Sequence, residues 1–417
     1  MTNFDGQKTA ALIGRTLKHS YSAPIHKLLT GGAYEYVLKE LAEDGIEAFL
    51  RSEKYIGFNV TIPYKKTVLQ YLDETDESVG LCGAVNTIVA DGDGRLKGYN
   101  TDIEGFEYLL NYNRIDVRGK KAVILGDGGT TATVRAALNG LGVGEIAVVS
   151  RRGVVSYDNY AAHCGDADII INASPVGMYP ENGECLVDLT KFKKLEAVVD
   201  VIYNPLITKI GFLAKERGIK YCNGLMMLVA QAKYASELFL GRKLDDASIE
   251  RVTNDMIKIK RNVVLVGMPG CGKSRIGRLV AERAGREFVD TDAEIESKRG
   301  ESIPSIFRNY GEKYFRDLES QTAAAAGKKS GAVISCGGGI LLRPENYRAL
   351  KQNALIIYIE RDLNLLPTAG RPLSRGRPLL EIYNERKPLY EGLSDARVKN
   401  DSTLDNAANK IIGIINA

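Results

Sequence analysis

The hydrophobic positions of this chain form short apolar runs that alternate with longer segments of helical spacing. The helical spacing is clearest over residues 131–141, where Val134, Leu138 and Leu141 fall on one face. The apolar runs are rich in valine and isoleucine and end at glycine or polar residues, which is typical of buried strands. They lie at residues 10–14, 57–63, 84–90, 121–126, 145–151, 167–174, 197–203, 262–267, 331–339 and 354–360. Strands that alternate with helices predict an α/β fold.

The length of the chain predicts more than one domain. At 417 residues it exceeds the usual size of a single domain, and two or three are expected. Residues 245–262 have acidic residues first and basic residues last, as a helix favours, and a new apolar strand begins at Asn262. Because no Gly/Ser-rich or Pro-rich spacer separates them, we place a boundary near Lys260 without a long linker.

Composition and charge narrow the possible functions. An apolar content of 44% and a charged content of 26% are ordinary for a globular protein. The net charge of +4 is small for this length, which argues against a nucleic-acid partner. We expect no signal peptide and no membrane span. None of the six cysteines has a metal-ligand spacing, so we expect reduced thiols and a cytoplasmic location, and a monomer or a homodimer stays open.

The strongest chemical signal follows the strand at 262–267. The segment "GMPGCGKS", residues 267–274, matches the phosphate-loop pattern G-x-x-x-x-G-K-[ST] in full. The N–H groups of such a loop bind phosphates, the lysine reaches the terminal phosphates, and the hydroxyl ligates Mg2+. The pattern predicts an ATP site at Gly267, Gly270, Cys271, Gly272, Lys273 and Ser274, with Ser274 as a Mg2+ ligand.

Further motifs follow the phosphate loop in order. They are "FVDTD", "FRDLE", "CGGG", "GRPLSRGRPLL" and "RKPLY". Together, over residues 262–400, they resemble shikimate kinase. The resemblance implies a P-loop domain of the nucleoside-monophosphate-kinase type, with a parallel sheet, over residues 261–417. The first of these motifs places Asp290 and Asp292 at the end of the second strand of that domain.

The resemblance to shikimate kinase also implies a role for each motif residue. Arg316 would bind the substrate carboxylate with two hydrogen bonds, and Glu319 would hold the guanidinium. Asp292 would take the proton from the attacking hydroxyl, beside the catalytic Lys273, and Asp290 would lie near Mg2+. The other expected contacts are Gly337, Gly338, Gly339 and Arg386, then Arg371 for the substrate and Arg375 or Arg377 for ATP, in a lid near residues 363–380.

The first half holds a weaker nucleotide signal after the strand at 121–126. The turn "GDGGTT" falls short of G-x-G-x-x-G because Thr131 replaces the third glycine. Asp127 in this turn either repels a pyrophosphate or turns away and accepts hydrogen bonds from the turn's own N–H groups. The next strand ends in Ser150, Arg151 and Arg152, which suit a 2′-phosphate, although arginines there can also be solvated surface residues.

Other segments of the first half decide whether this turn and these arginines belong to a dinucleotide site. They include "GFNVTIPYKK", "GYNTDIEGF", "NASPVGMYP" and "NGLMMLVAQA", and over residues 10–240 they resemble shikimate dehydrogenase. The resemblance implies a substrate α/β domain at 1–105, closed by 225–258, and a Rossmann domain at 106–224 that binds NADP(H). It implies Lys65 and Asp102 as the catalytic pair, since hydride transfer to a keto group creates an alkoxide that needs stabilisation and a proton.

The same resemblance assigns the binding residues. Ser20 and Ser22 would bind the substrate carboxylate, His19 and His26 would be structural, and Tyr203 would line the cleft. Ring hydroxyls would be bound by Thr61, Asn86, Asp102 and Gln231. The cofactor would contact Gly126, Gly128, Gly129, Thr130, Ser150, Arg151, Arg152, Gly224 and Met227.

The two halves together predict a bifunctional enzyme. The first would reduce 3-dehydroshikimate to shikimate with NADPH, and the second would phosphorylate shikimate with ATP. Two alternatives stay open: an active kinase that carries a non-catalytic dehydrogenase-like domain, which Asp127 favours, and a first half that prefers quinate. The short boundary also raises the hypothesis that shikimate passes directly between the sites.

Overall fold

The computed structural model describes residues 8–17, 20–52, 54–366 and 378–417. Within them the chain divides into two compact units. The first runs to Tyr203 and continues over Thr208–Met256, and the second comprises Asn204–Ile207 and Ile257–Ala417. Arg371, Arg375, Arg377 and His19 lie outside the described residues. The division of the chain into three domains stays a prediction.

The first sheet of the first unit is mixed. Its strands are β1 (Thr9–Gly14), β2 (Glu35–Glu40), β3 (Gly57–Val60), β4 (Glu74–Thr75), β5 (Thr87–Ala90) and β6 (Leu96–Tyr99). They lie in the order β2-β1-β3-β5-β6-β4, with β5 antiparallel to both of its neighbours. The helices that accompany it are α1 (Ser22–Thr30), α2 (Ile46–Leu50), α3 (Glu77–Cys82) and α4 (Thr101–Tyr112).

The second sheet of this unit is parallel throughout. Its strands are β7 (Lys121–Leu125), β8 (Glu145–Val149), β9 (Ile169–Asn172), β10 (Ala197–Asp200) and β11 (Lys220–Cys222). Their order, β11-β10-β9-β7-β8, is doubly wound, with its switch point between β7 and β9. The following helices are α5 (Gly129–Gly140), α6 (Tyr160–Cys164), α7 (Lys209–Glu216), α8 (Leu225–Leu240) and α9 (Ala247–Lys260). Ligands of such sheets bind at the switch point, where the turn after β7 lies.

The second unit is built on one parallel sheet. Its strands are β12 (Asn262–Val266), β13 (Phe288–Asp290), β14 (Val333–Ser335), β15 (Ala354–Glu360) and β16 (Ala396–Lys399), in the order β13-β14-β12-β15-β16. Its helices are α10 (Lys273–Ala284), α11 (Thr291–Arg299), α12 (Ile303–Gly327), α13 (Pro344–Lys351), α14 (Leu379–Leu393) and α15 (Leu404–Asn416). The phosphate loop follows the central strand β12, again at a switch point.

The predicted α/β fold class is confirmed, and each of the ten apolar runs contains a strand. One placement from the sequence was wrong. Asp292 does not end a strand but lies in the first turn of α11, because Asp290 ends β13 and caps that helix through its Oδ1. In the part of the chain that the structure describes, no helix is long and apolar enough to cross a membrane.

A close helix crossing brings two site-bearing helices together in the first unit. A Cβ on Gly105 in α4 would lie 2.9 Å from the carbonyl oxygen of Met227 and 3.0 Å from the Cβ of Gln231, both in α8. Only glycine permits this approach without a shift of the backbone. The crossing places Asp102, at the start of α4, on the same side as Gln231.

Candidate active sites

A cavity of about 590 Å3 in the first unit collects the polar residues that the sequence pointed to. They come from the loops after β1, β3 and β10, from the residue before β5, and from α1, α4 and α8. The predicted residues that line it are Ser20, Ser22, Thr61, Lys65, Asn86, Asp102, Tyr203 and Gln231. Burial raises the pKa of Tyr203 to about 12, so its phenol lines this cavity in the uncharged form.

Lys65 and Asp102 form an ion pair in this cavity. Nζ of Lys65 donates a hydrogen bond of 2.5 Å to Oδ2 of Asp102. The lysine side chain is 25% exposed and the aspartate 15%, so both remain accessible from the cavity. An ammonium group held by a carboxylate in a partly desolvated cavity can both stabilise a developing alkoxide and give it a proton.

The amide of Asn86 is fixed by its neighbours. Its Nδ2 donates to Oγ1 of Thr101 over 3.0 Å and to Oε1 of Gln231 over 3.3 Å. Its Oδ1 accepts from the backbone N–H of Thr101 over 2.8 Å. Because Thr101 precedes Asp102, this network also sets the position of the Asp102 carboxylate. Asn59 and Met178 also line the cavity; they lie inside the motifs "GFNVTIPYKK" and "NASPVGMYP", but the sequence had assigned neither a role.

The turn after β7 has the backbone that a pyrophosphate needs. Gly126 has φ 104°, and α5 begins at Gly129 with Gly128 as its N-cap, which directs free N–H groups outward. A Cβ on Gly128 or Gly129 would meet no heavy atom within 4 Å, so the space above the turn is open. Thr131, at the third position of the glycine pattern, donates from its hydroxyl to the carbonyl oxygen of Gly126 over 3.0 Å. The turn therefore fits a dinucleotide despite the missing glycine.

Charged residues near this turn are exposed. Arg151 and Arg152 follow β8 and are open to solvent, whereas Ser150 is buried. Asp127 is exposed as well, and within the described residues its carboxylate accepts no hydrogen bond from the N–H groups of the turn. The predicted alternative, in which Asp127 accepts hydrogen bonds from the turn's own N–H groups, is thus not observed, and its carboxylate is exposed beside the turn.

Gly224 and Met227 do not line the first cavity. A Cβ on Gly224 would lie 2.0 Å from the carbonyl oxygen of Val201, so glycine is required there for packing. Met227 is buried, with 8% exposure. His26 has the surroundings of a structural residue. It is buried, and its ring stacks on that of Tyr36 with centroids 3.9 Å apart. Burial lowers the pKa of His26 to about 3.

A second cavity, of about 650 Å3, lies in the second unit. It joins the phosphate loop, the start of α11, the middle of α12, the loop after β14 and the inner face of α14. The predicted residues that line it are Gly270, Gly272, Lys273, Ser274, Asp290, Asp292, Arg316, Glu319, Gly337, Gly338, Gly339 and Arg386. Gly267 and Cys271 belong to the same loop behind this surface, and Cys271 is fully buried.

Four polar side chains of this cavity carry buried atoms without a hydrogen-bond partner among the described residues. These atoms are Asp292 Oδ1, Glu319 Oε1, Arg361 Nε and Arg386 Nε. Buried polar groups are normally paired, so unpaired acceptors and donors around one cavity indicate a polar ligand. Burial raises the pKa of Asp292 to about 6, against the effect of Lys273, and burial also raises the pKa of Glu319. A carboxylate with such a pKa suits a general base near neutral pH.

Arg316 projects into this cavity from α12. Its Nη1 donates to Oε2 of Glu319 over 2.7 Å, and both side chains are almost fully buried. Glu312, one turn earlier, accepts from Nε over 3.3 Å and from Nη2 over 3.2 Å. The sequence identified the first partner but missed Glu312, although its four-residue spacing from Arg316 is a recognised pairing signal.

The phosphate loop is shaped for anion binding. Gly267, Gly270 and Gly272 have φ of 144°, 77° and 104°, which only glycine adopts easily. Nζ of Lys273 lies inside the loop and donates to the carbonyl oxygens of Gly267 and Met268 over 2.9 and 3.1 Å. Such a ring of N–H groups with an enclosed lysine fits the phosphates of a nucleotide.

The predicted Mg2+ ligands, Ser274 and Asp290, both line this cavity. Ser274 and Ser335 share a hydrogen bond of 3.2 Å between their hydroxyls, and Asp290 uses Oδ1 to cap α11. Across the described ranges, no group of three or more His, Cys, Asp or Glu could hold a metal ion. A serine hydroxyl and an aspartate beside the phosphate loop fit Mg2+, which usually takes one or two protein ligands and completes its shell with phosphate oxygens and water.

The three glycines after β14 leave room for side chains from elsewhere. A Cβ on Gly337 would lie 2.5 Å from Oδ1 of Asp292, and one on Gly339 would lie 2.2 Å from Nη1 of Arg316. A Cβ on Gly338 would lie 2.6 Å from Cδ of Pro269 in the phosphate loop. The hydroxyl of Tyr390 in α14 donates to the carbonyl oxygen of Gly338. The loop thus stays close to Asp292, to Arg316 and to the phosphate loop.

These features define two classes of enzyme in one chain. A doubly wound sheet with a glycine turn, together with a Lys–Asp cavity, is typical of oxidoreductases that use a nicotinamide dinucleotide. A complete phosphate loop that opens into a cavity with a carboxylate base and arginines is typical of kinases of small anionic substrates. The chain belongs to the shikimate dehydrogenase family in its first part and to the shikimate kinase family in its last part.

Comparisons with known proteins carry this assignment. The shikimate dehydrogenase substrate-binding domain matches residues 12–88, and shikimate kinase matches residues 269–416. The NADP(+) shikimate dehydrogenase of Caldanaerobacter subterraneus subsp. tengcongensis is 38% identical over 275 residues, which cover 60% of this chain and 98% of that enzyme. The shikimate kinase of Clostridium beijerinckii is 42% identical over 163 residues, which cover 38% of this chain and 96% of that enzyme.

Solved structures agree for the first part. The chorismate mutase/shikimate 5-dehydrogenase fusion protein from Clostridium acetobutylicum aligns with a TM-score of 0.57 and 34% identity, over 60% of this chain and 97% of that chain. The shikimate 5-dehydrogenase of Thermus thermophilus, solved with NADP(H) and shikimate, aligns with a TM-score of 0.54 and 27% identity, over 60% and 99%. Two parts of this chain thus each match nearly the full length of a separate enzyme.

Proposed function

We propose that this chain catalyses two consecutive reactions on one small carboxylate. The first is the NADPH-dependent reduction of 3-dehydroshikimate to shikimate, and the second is the ATP-dependent phosphorylation of shikimate to shikimate 3-phosphate. The observation that carries the proposal is the pair of polar cavities, one in each unit. Each contains a proton-transfer carboxylate or lysine together with donors for hydroxyls and for a carboxylate, so the product of one suits the other.

In the first cavity, Lys65 and Asp102 act on the keto group. The Lys65 ammonium donates a hydrogen bond to the keto oxygen, stabilises the negative charge that develops there, and supplies the proton. Asp102 holds this ammonium in place through its 2.5 Å contact. NADPH, when bound, supplies the hydride. The proposed contacts of the substrate carboxylate and hydroxyls are Ser20, Ser22, Thr61, Asn86, Asp102, Tyr203 and Gln231.

We assign the NADP(H) site to the turn after β7 and to the residues after β8. The open space above Gly128 and Gly129, at the start of α5, fits a pyrophosphate. Arg151 and Arg152 are exposed and supply positive charge for a 2′-phosphate. The remaining proposed cofactor residues are Gly126, Thr130, Ser150, Gly224 and Met227.

In the second cavity, Asp292 takes the proton of the attacking hydroxyl. A pKa of about 6 leaves its carboxylate ionised at neutral pH and makes it a stronger base than an ordinary aspartate. The proton moves from the 3-hydroxyl to Asp292 as the hydroxyl oxygen bonds to the transferred phosphorus. Arg316 and Arg386 bind the substrate carboxylate, and Glu319 orients Arg316. Gly337, Gly338 and Gly339 bring the backbone close to the ring.

ATP supplies the phosphoryl group, and the phosphate loop holds it. Lys273 donates to the terminal phosphates, while Ser274 and Asp290 hold Mg2+ directly or through water. The other proposed contacts in this loop are Gly267, Gly270, Cys271 and Gly272. Arg371 is the proposed lid arginine for the substrate.

We also propose a three-domain division that follows these sites. Residues 1–105 with 225–258 would bind the substrate of the first reaction, 106–224 would bind NADP(H), and 261–417 would carry the kinase. We expect a monomer or a homodimer that acts in the cytoplasm on small molecules alone. Direct passage of shikimate between the two sites remains a hypothesis. Full dilution of labelled intermediate by added free shikimate would contradict it.

The test uses each site as the control of the other. The full chain is assayed for shikimate oxidation with NADP+ or NAD+ by absorbance at the NADPH band, and for shikimate phosphorylation with ATP by ADP formation. We expect Lys65→Ala to lose the first activity and keep the second, and Asp292→Asn to do the reverse. Loss of both activities in either variant, or of neither, contradicts the assignment of that residue.

The same assay decides the alternatives. If the chain phosphorylates shikimate but reduces neither cofactor, the first half is non-catalytic. If it oxidises quinate with NAD+ better than shikimate with NADP+, the first half is a quinate enzyme. The Lys65–Asp102 contact inside a polar cavity argues against a non-catalytic first half. The two exposed arginines after β8 argue for NADP over NAD.

A further inference from the structure

Arg316 has two carboxylate neighbours on its own helix, and they differ in burial. The Glu319 side chain is 1% exposed, whereas that of Glu312 is 56% exposed. Glu319 accepts from Nη1 over 2.7 Å. Glu312 uses a single oxygen, Oε1, to accept from both Nε and Nη2, over 3.3 and 3.2 Å. All three guanidinium nitrogens therefore have a carboxylate partner within the protein.

The position of Glu312 matters because Nε and Nη2 form one edge of the guanidinium. Arginine binds a carboxylate most strongly when two N–H groups of one edge reach its two oxygens. In this structure Glu312 occupies the Nε/Nη2 edge, and Glu319 already uses Nη1. A substrate carboxylate that takes the Nε/Nη2 edge of Arg316 must therefore replace or share the two hydrogen bonds that Glu312 accepts there.

Glu312 is the partner that can leave. Its side chain is largely exposed, and among the described residues it makes no hydrogen bond except those to Arg316. Its backbone follows Gly311, whose φ of 82° and ψ of 173° break α12, so Glu312 starts a new helical segment. Its bonds to Arg316 are longer than the usual 2.7–2.9 Å of charge-assisted bonds. Because its carboxylate is exposed and loosely bonded, Glu312 can leave Arg316 at little cost.

We propose that Glu312 is an internal competitor of the substrate carboxylate and thereby sets the affinity of the second cavity for its anionic substrate. In the free protein its carboxylate occupies the Nε/Nη2 edge of Arg316. When the substrate binds, Glu312 turns to solvent and the substrate carboxylate takes the edge. This inference rests on the proposed function, since it requires Arg316 to bind the carboxylate of shikimate.

The competition predicts a specific kinetic change. Glu312→Gln removes the negative charge but keeps the shape of the side chain. We expect the KM for shikimate in the kinase reaction to fall about three- to tenfold, while kcat stays within twofold. Glu312→Ala removes the acceptor altogether and should change KM in the same direction. A residue that merely helped to position Arg316 would give the opposite sign.

The assay measures ADP directly in the full chain, without nicotinamide nucleotide, so that the first site does not turn over. The methyl ester of shikimate serves as a matched neutral substrate, because it lacks the charge for which Glu312 competes. The ratio of its KM in the wild-type and Glu312→Gln proteins should stay near one. Glu294→Gln is the control variant, since Glu294 forms an ordinary ion pair with Lys298 on α11 and does not line the cavity.

Each outcome decides the question. A lower KM for shikimate, with an unchanged KM for the ester and an unchanged Glu294→Gln protein, supports the competition. An unchanged or higher KM for shikimate in both Glu312 variants overturns it. So does an equal fall for the ester or for Glu294→Gln, because the effect would then not depend on the competing charge. If the wild-type chain fails to phosphorylate shikimate at all, it is the proposed function that fails.

Discussion

The hydroxyl of Thr131 donates a hydrogen bond of 3.0 Å to the carbonyl oxygen of Gly126 and so closes the turn that follows β7. Thr131 is 3% exposed and stands where the dinucleotide pattern has its third glycine. The side chain therefore does not enter the open space above Gly128 and Gly129. Its hydroxyl instead bonds to the first residue of the turn, Gly126, and stabilises the conformation of the turn.

Restoring the glycine pattern is expected to weaken cofactor binding. Thr131→Gly loses the hydrogen bond to Gly126, worth about 1 kcal/mol, and loosens the first turn of α5. We expect the KM for NADP+ to rise about three- to tenfold and the melting temperature to fall. Thr131→Val keeps the shape without the donor and should show the effect of the hydrogen bond alone. A lower KM for Thr131→Gly would mean that the threonine obstructs the site.

The free charge of Asp127 gives a prediction of the opposite sign. Its carboxylate is exposed beside a turn proposed to bind a pyrophosphate. Asp127→Asn removes this repulsion, and we expect the KM for NADP+ to fall about two- to fivefold with kcat unchanged. Asp93→Asn, at another exposed position of the first unit, is the control and should change nothing. A rise in KM for Asp127→Asn would show that the carboxylate supports the turn.

The close approach of Gly337 to Asp292 predicts a local loss of kinase activity. In Gly337→Ala the new Cβ would lie 2.5 Å from Oδ1 of Asp292 and must displace this carboxylate, which is the proposed base. We expect kcat for phosphorylation to fall about tenfold or more, with shikimate oxidation unaffected. The matched control is Gly392→Ala in α14, whose Cβ would meet nothing within 4 Å and should slightly stabilise that helix. Equal losses in both variants would indicate misfolding and not a displaced base.

The raised pKa of Asp292 predicts the pH dependence of phosphorylation. The carboxyl must be ionised to accept a proton, and burial raises its pKa to about 6. The kinase kcat/KM for shikimate should therefore be constant above this pH and fall about tenfold per unit below it. Because the pKa of Asp292 is raised above that of an unfolded aspartate, the folded domain binds this proton more tightly than the unfolded chain does. Protonation of Asp292 therefore does not favour unfolding, and kcat/KM falls in the folded protein.

The measurement is a profile of kcat/KM between about pH 5 and 8, with circular dichroism at each pH to establish that the protein stays folded. Asp292→Asn, which has no carboxyl to titrate, should be slow at every pH and lack the acidic limb. A wild-type profile that stays level down to pH 5 would rule out Asp292 as the titrating base.

The strands that the sequence missed lie mostly at sheet edges. They are β2, β4, β6, β11 and β16, and all of these except β6 end a sheet. An edge strand is covered on fewer sides, so its residues need not be apolar. β2, with the sequence "EYVLKE", contains no fully buried residue. The interior strands were found because burial on both faces requires continuous apolar runs.

The site residues show a similar division. Lys65 and Asp102 were predicted through the resemblance of whole motifs to a known family, and the phosphate loop through one contiguous sequence pattern. Arg361 was missed because it stands outside every motif and joins a cavity only through the fold, whereas Asn59 lies inside "GFNVTIPYKK" but was given no role. The position of Asp292 in α11 was also not predicted. Asp290 both ends β13 and caps α11, and the sequence alone does not show that the strand stops there.

The three-glycine loop of the second unit has a consequence for how this site can change in evolution. The loop contributes only backbone, and the volume that its own side chains would fill belongs to Asp292, Pro269 and Arg316. Any larger residue in the loop would displace Asp292, Pro269 or Arg316. New substrate preferences therefore have to arise through α11, α12 or α14, while the loop itself stays constrained by residues that lie far from it in the chain.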